Sequence, residues 1–529
     1  MYRFTNIYVL AAFGTIGGAL FGFDISSMSA WLGTEQYTTY FNHPGSDLQG
    51  GITASMSGGS LLGALLAGFI ADRLGRKIAL QIACVIFVVG CAIVCSSQNV
   101  GQLIAGRIVN GFSIGICSSQ VCVYLAELSP SAIRGRIVGI QQWSIEWGIL
   151  IMYLICYGCA QTVEGPAAFR IAWGVQGFPA IVLFLALFCF PESPRWLAAN
   201  ERWEECLSVL ADLHGKGDRS HPVVLAEFEE VQEAQRIAAQ AAGVGFLSLF
   251  GPKIWKRTLA GTSVQAWQQL LGGNVAMYYV VYIFQMAGLS GNTNLYSSAI
   301  QYVIFLVTTG VMLPIIDRVG RRQLLLGGAV TCMTLHFATA GVMATYGRPV
   351  PEVFGNANLR LELDPTPGKA VIALSYIFTG IYGLTWAPTG WIYCSEVFPL
   401  KYRAKGVGLS AATNWYVAFN FALAYFLPPA FKNITWKTYI IFGIFCFVMT
   451  FHIFFTYPET ARKTLEEIDL LFDSKIPAWK SAGVKSNSLE TRAAEIEKGS
   501  VNDDDDDVVE RTRGRDGEKR QVVRQVEHA

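Results

Sequence analysis

Twelve apolar stretches punctuate the chain, at approximately 7–31, 50–70, 78–96, 101–125, 136–160 and 169–190, then 256–287, 296–316, 323–346, 368–394, 405–427 and 436–457. Each is about twenty residues or longer, the length an α-helix needs to cross the ~30 Å hydrocarbon core of a bilayer. Polar residues gather between them, so the pattern predicts an all-α membrane protein with twelve transmembrane helices. The stretch 191–255 interrupts the series with Ala/Glu/Gln periodicity around Glu227–Ala242, which predicts short helices in a polar linker. After Tyr457 the chain turns hydrophilic and includes Asp503–Asp507, a composition expected to be largely disordered. The expected division is a six-helix half at 1–190, a linker at 191–255, a second half at 256–457 and a tail at 458–529.

The two halves repeat each other. Asp72-Arg-Leu-Gly-Arg-Lys77 returns as Asp317-Arg-Val-Gly-Arg-Arg322. Glu127-Leu-Ser-Pro130 with Arg134 returns as Glu396-Val-Phe-Pro399 with Arg403, and Pro191-Glu192-Ser193 as Pro458-Glu459-Thr460. The pairs keep their order and fall at the same ends of spans 2, 4, 6 and 8, 10, 12. Basic membrane anchors would account for the charges but not for the matched acids and prolines. Two pseudo-symmetric halves related by an axis along the membrane normal are a transporter architecture.

Composition sharpens this picture. Of 529 residues, 52% are hydrophobic and 15% charged, poorer in charge than a soluble protein. The net charge of +1 gives no reason to expect a nucleic-acid partner; the placement of charge matters more. Lys and Arg cluster at Arg73–Lys77, Arg134 and Arg136, in 191–255, at Arg318–Arg322 and at Lys401–Lys405, whereas 32–49 and 288–295 have none. The positive-inside rule then places both termini and the linker in the cytoplasm. The first apolar run begins almost at once and is long, so it is expected to be a retained span rather than a cleaved signal. Nearly all twelve cysteines lie in apolar segments without CxxC or Cys/His spacing, which reads as small core residues rather than metal ligands. Walker, HExxH and Gly-rich strand–helix motifs are missing, so no enzyme and no cofactor is expected.

One span is unusually polar. Within 256–287, Gln265, Gln268 and Gln269 fall on one narrow arc of a helix, and Tyr279 joins them. Asn274 would point the opposite way unless Gly272-Gly273 unwinds the helix and re-aims it. Neutral hydrogen-bonding groups at a helix break suit an uncharged, polyhydroxylated ligand at mid-membrane depth.

Taken together in order, these motifs resemble the sugar porters of the major facilitator superfamily, and more closely the fungal monosaccharide transporters, over roughly residues 5–475. Gly22-Phe23-Asp24, Gly106-Arg107, Pro191–Trp196, Trp386-Ala-Pro388 with Trp391, and Asn414-Trp415 add to the likeness. The resemblance implies a sugar site of Gln142, Gln268, Gln269, Asn274, Trp391 and Asn414, with Phe21 and Trp415 as apolar neighbours. Amides donate and accept as a hydroxyl does, and tryptophan covers the C–H face of a sugar ring. The competing reading is that such polar groups only hold helices together. Where relatives often carry a ligand-binding Asn in span 8, this chain has Phe305, which should shift or narrow which sugars fit.

By the same resemblance Asp24 and Arg107 are the proton-coupling pair; a static ion pair is the alternative. A carboxylate at the bilayer centre costs roughly 3 kcal/mol to insert, so a functional role is its default. Glu146, one turn from Gln142, is a second proton site, a sugar contact, or an acid bonded to a neighbouring helix. Asp72, Arg73, Glu127 and Arg134, with Asp317, Arg318, Glu396 and Arg403, resemble the family's inner latch; with the pore closed inside, Glu127, Arg134, Glu396 and Arg403 are expected to bridge the halves, together with Arg73 and Arg318. Tyr278 and Tyr279 are expected to close the outer side. The expected function is proton-coupled monosaccharide import at the plasma membrane by a chain working as a monomer, its partners being sugar, proton and lipid. A facilitator and a non-transporting sugar sensor are the alternatives.

Overall fold

A computed structural model describes residues 5–483, except 33, 130–133, 241–245, 253, 317, 400–401, 416–419, 462, 464–467, 469–470 and 473–476. Of Arg134, Asn274, Arg403 and Trp415 it describes the backbone alone. Helix α1 (Ile7–Gly14) starts at Asn6, whose side chain accepts the Tyr8 N–H, and bends at Thr15 into α2 (Ile16–Ser29). A short α3 (Glu35–Tyr40) leads to α4 (Ser46–Leu74), and Gly75, at φ +97°, turns the chain into α5 (Arg76–Cys95). Asn99 caps α6 (Val100–Leu128); α7 (Arg134–Thr162), α8 (Ala167–Val175) and α9 (Phe178–Leu187) follow.

In the linker, α10 (Pro194–Ala199), α11 (Trp203–His214) and α12 (Pro222–Gln240) share a small apolar core of Leu197, Cys206, Leu210 and Val224. The second half opens with α13 (Trp255–Leu270), α14 (Gly273–Tyr278) and α15 (Val280–Met286), then α16 (Gly291–Met312) and α17 (Arg321–Tyr346). A hairpin of β1 (Gly347–Pro349) and β2 (Leu361–Leu363) follows, with Arg348 opposite Glu362. Then come α18 (Pro365–Leu384), α19 (Trp386–Glu396), α20 (Arg403–Trp415), α21 (Ala422–Asn433) and α22 (Lys437–Thr456).

Among the described residues, 10 helical segments are long and apolar enough to cross a membrane. Expected spans 256–287 and 405–427 are not among them, and each is divided. Gly272 at φ +92° and Tyr279 divide the first into α13, α14 and α15. The second divides into α20 and α21 around residues outside the description. Phe69, Phe178, Leu185, Val307 and Phe455 stay exposed on the outside of the bundle, as a bilayer solvent allows.

Small residues set the closest helix approaches. A Cβ on Gly63 would come within 2.0 Å of the Phe112 carbonyl, which accounts for the tight α4–α6 pair. Between halves, α2 meets α14, α4 meets α20 and α21, and α7 meets α16 and α19.

The sequence repeat is a structural repeat. The Glu192 carboxylate accepts the backbone N–H groups of Arg76 (3.0 Å) and Lys77 (3.3 Å) at the start of α5. Glu459 does the same for Arg321 (2.8 Å) and Arg322 (3.1 Å) at the start of α17. Each acid satisfies N–H groups that a helix start leaves without internal partners. Glu192 lies outside the spans, and burial raises its pKa despite these donors. Tyr124 donates to the Pro191 carbonyl (2.5 Å), as Tyr393 does to Pro458 (3.3 Å).

Candidate functional site

The break between α13 and α14 creates the site. Gln265, Gln268 and Gln269 end α13 on its inner face and are all buried. Gln268 Nε2 donates to the carbonyls of Trp386 (3.0 Å) and Ala387 (3.1 Å), where Thr385 separates α18 from α19. Both carbonyls lie in the first turn of α19, and a carbonyl oxygen has a second lone pair with which to accept the glutamine N–H. Asn414 of α20 is the hub. Its Oδ1 accepts from Gln269 Nε2 (2.9 Å), and its Nδ2 donates to Oε1 of Gln265 (2.6 Å) and of Gln268 (3.3 Å). The amides therefore satisfy one another.

Around this cluster lies a cavity between the halves. Of the residues singled out in the sequence, Phe21, Gln142, Gln268, Gln269, Phe305, Trp391 and Asn414 line it. Ile25, Ile145, Ile149 and Tyr382 complete the lining, and nothing in the sequence marked them out. Phe305 is buried beside Tyr382, with ring centroids 5.5 Å apart, so the wall here is aromatic. Gln265 does not line the cavity; it donates to the Gly390 carbonyl at 3.3 Å. The side chains of Asn274 and Trp415, two expected contacts, lie outside the described residues.

His336 of α17 was also unexpected. Its ring shares a hydrogen bond of 2.9 Å with the Leu271 carbonyl at the break and packs against Phe378 at 4.8 Å. An acceptor carbonyl requires the N–H on Nε2.

Asp24 of α2 and Arg107 of α6 are buried, each 1% exposed. Arg107 Nη2 lies 3.2 Å from Asp24 Oδ2, ion-pair distance without hydrogen-bond alignment. Arg107 Nε donates to the Ile52 carbonyl at 2.9 Å, which holds the guanidinium from α4 as well. Glu146 is equally buried and bonds to Gln142 and Thr309.

Tyr278 and Tyr279 are buried, and Tyr279 donates to the Ala424 carbonyl at 2.7 Å. Ser29 and Tyr302 both donate to the Met277 carbonyl, at 3.0 and 2.8 Å, which ties α2 to the segment after the break. At the ends of the helices that carry the repeated motifs, the acids bond within their own halves. Glu127 pairs with Arg76 (3.1 Å) and Ser193, and Glu396 with Arg321 (3.1 Å) and Thr460 (2.7 Å). The expected first cations, Arg73 and Arg318, are exposed, and Asp72, 76% exposed, meets Arg76. The turn at Gly75 accounts for the pairing seen: it puts Arg76 at the start of α5, facing the acids, and leaves Arg73 on the last turn of α4. Any bridge between halves through Arg134, Asp317 or Arg403 lies outside the described residues.

Comparison with known proteins agrees with this geometry. Residues 10–472 match the family described as "Sugar (and other) transporter". The high-affinity glucose transporter of Kluyveromyces lactis is 47% identical over 90% of this chain and 87% of its own. High-affinity glucose transporter 1 of Candida albicans is 44% identical over the same shares. Among solved structures, the proton:xylose symporter XylE bound to 6-bromo-6-deoxy-D-glucose superposes with a TM-score of 0.74 at 25% identity, over 88% of this chain and 99% of that one.

Proposed function

The chain belongs to the sugar transporter family of the major facilitator superfamily, and from that premise we propose that it imports a neutral monosaccharide, hexose or pentose, together with a proton. The observation that carries this reading is the buried, uncharged amide cluster of Gln268, Gln269 and Asn414 facing Gln142 and Trp391 across the two halves. No Lys or Arg lines that cavity among the described residues, which favours a neutral polyol over an anion such as quinate, the ligand named for a permease of Neurospora africana 32% identical to this chain. Relatives named as glucose transporters, at 44–47% identity, support a hexose, and the xylose symporter, at 25%, supports a pentose.

The hydroxyl-bearing ligand displaces the Asn414–Gln bonds and stacks its C–H face on Trp391. Closure of the segment around Tyr278 and Tyr279 seals it from outside; opening of the cytoplasmic side releases it. Gly272 supplies the bend. Asp24 gives the cycle its proton. Beside Arg107 it stays ionised; when Arg107 withdraws, an isolated carboxylate in this apolar setting takes a proton. Loose alignment of the pair suits a contact that breaks once per turnover. Linking protonation to one conformation couples the two cargoes. The basic loops support an orientation at the plasma membrane with both termini in the cytoplasm.

Uptake of labelled glucose and xylose in yeast lacking its own sugar transporters tests the reading. Saturable uptake with external alkalinisation is expected. A surface-localised protein that moves no monosaccharide overturns transport, and uptake without proton movement leaves a facilitator.

A further inference from the structure

Glu146 does not line the sugar cavity; it stands one helical turn behind Gln142 on α7. Its Oε1 accepts from Gln142 Nε2 at 3.1 Å and from Thr309 Oγ1 of α16, in the other half, at 2.9 Å. Thr309 Oγ1 also lies 3.2 Å from the Gly383 carbonyl of α18, just before that helix breaks at Thr385. One hydroxyl proton cannot fully serve both acceptors. Glu146 Oε2 is buried without a hydrogen-bond partner. The groups facing this carboxyl are few. Its own helix offers the Gln142 amide, α16 the Thr309 hydroxyl, and α18 the Tyr382 phenol; none is a cation.

We propose that Glu146 is a positioning residue for Gln142 and a second proton carrier, its neutral form holding the two halves together around bound sugar. This rests on the sugar-transport reading of the same site. As an anion, Glu146 takes the Thr309 O–H, and the Gly383 carbonyl loses that donor. An unpaired charge then sits between halves at a junction that must open and close. When a proton from the aqueous entry path bonds to Oε1, the new O–H donates to Thr309 Oγ1, and the Thr309 O–H turns to Gly383. The result is an uncharged chain from α7 through α16 to α18, with no group gaining or losing electrons. When the halves part, the same proton leaves to water.

In both forms the Gln142 N–H points at Glu146. The Gln142 carbonyl oxygen is then left for the cavity, so the sugar must present a hydroxyl donor there. That directional demand selects among sugar epimers.

The test is glucose binding to the purified full-length protein, followed by tryptophan fluorescence from pH 5 to 8. Wild-type affinity should fall as pH rises, by up to about tenfold per unit. Glu146→Gln, uncharged and nearly isosteric, should bind with a flattened profile. Glu146→Ala should bind about fivefold to tenfold more weakly, the loss of one orienting hydrogen bond. Made on a Gln142→Ala background, it should cost less than on wild type, because only the link through Thr309 is left to lose. A Glu146→Gln profile as steep as wild type, or a flat wild-type profile, overturns the proton role. An undiminished Glu146→Ala effect without Gln142 overturns the positioning role. A wild-type protein that binds no monosaccharide sinks the transport reading itself.

Discussion

Replacing Asn414 with alanine tests the sugar site where its bonds converge. The side chain accepts from Gln269 and donates to Gln265 and Gln268, at 2.9, 2.6 and 3.3 Å. Not every loss counts equally. Gln268 keeps its bonds to Trp386 and Ala387, and Gln265 keeps Gly390, so both remain in place. What disappears is the contact of Asn414 with the ligand and the anchor that aims Gln269. Two neutral hydrogen bonds amount to about 2 kcal/mol, or roughly thirtyfold in affinity. Initial rates of labelled glucose uptake in transporter-null yeast, normalised to surface protein, give the half-saturation constant. Gln265→Ala is the control, because that residue joins the cluster without lining the cavity; it should raise the constant no more than about threefold. An Asn414→Ala constant within twofold of wild type would refute the reasoning. So would equal shifts in both variants, since that outcome describes helix packing rather than ligand contact.

Three further outcomes follow from the geometry. Arg107→Ala leaves the Asp24 carboxylate buried without its cation, which should cost about 3–5 kcal/mol and lower the thermal midpoint in detergent; an unchanged midpoint would show that the pair carries no such load. Gly272→Ala forces a side chain to φ +92°, a strain of about 1–2 kcal/mol, so maximal uptake per surface molecule should fall while the wild-type rate would contradict a hinge there. Glu192→Ala and Glu459→Ala each remove the acceptor that caps a helix start, and each should cost about 1–2 kcal/mol by the same thermal assay; a change in only one would break the structural equivalence of the halves.

Much of this architecture was legible because it repeats. Three motif pairs marked the two halves, and the acids at 192 and 459 do occupy equivalent places. The Gly272-Gly273 break and the glutamine arc could be read from periodicity alone, since both are local properties of one helix. The rest depends on neighbours distant in sequence. Tyr382, Ile25, Ile145 and Ile149 line the cavity, yet an apolar residue in a span looks the same whether it faces ligand, lipid or core. Thr309, the partner of Glu146, is 163 positions away on another helix. The choice of Arg76 over Arg73 turns on the backbone angle of Gly75, which a list of charges does not contain.

The central claim, proton-coupled sugar import, is tested most directly by the steady-state accumulation of a non-metabolised glucose analogue in vesicles. An inward drive of about 100 mV supplies ~2.3 kcal/mol per proton, and one pH unit adds ~1.4 kcal/mol. For one proton per sugar this supports a ratio of several hundred. Wild type should accumulate the analogue well above unity, and Asp24→Asn should fall to a ratio of about one while still exchanging preloaded sugar. A wild-type ratio of one, or undiminished accumulation by Asp24→Asn, would contradict the account.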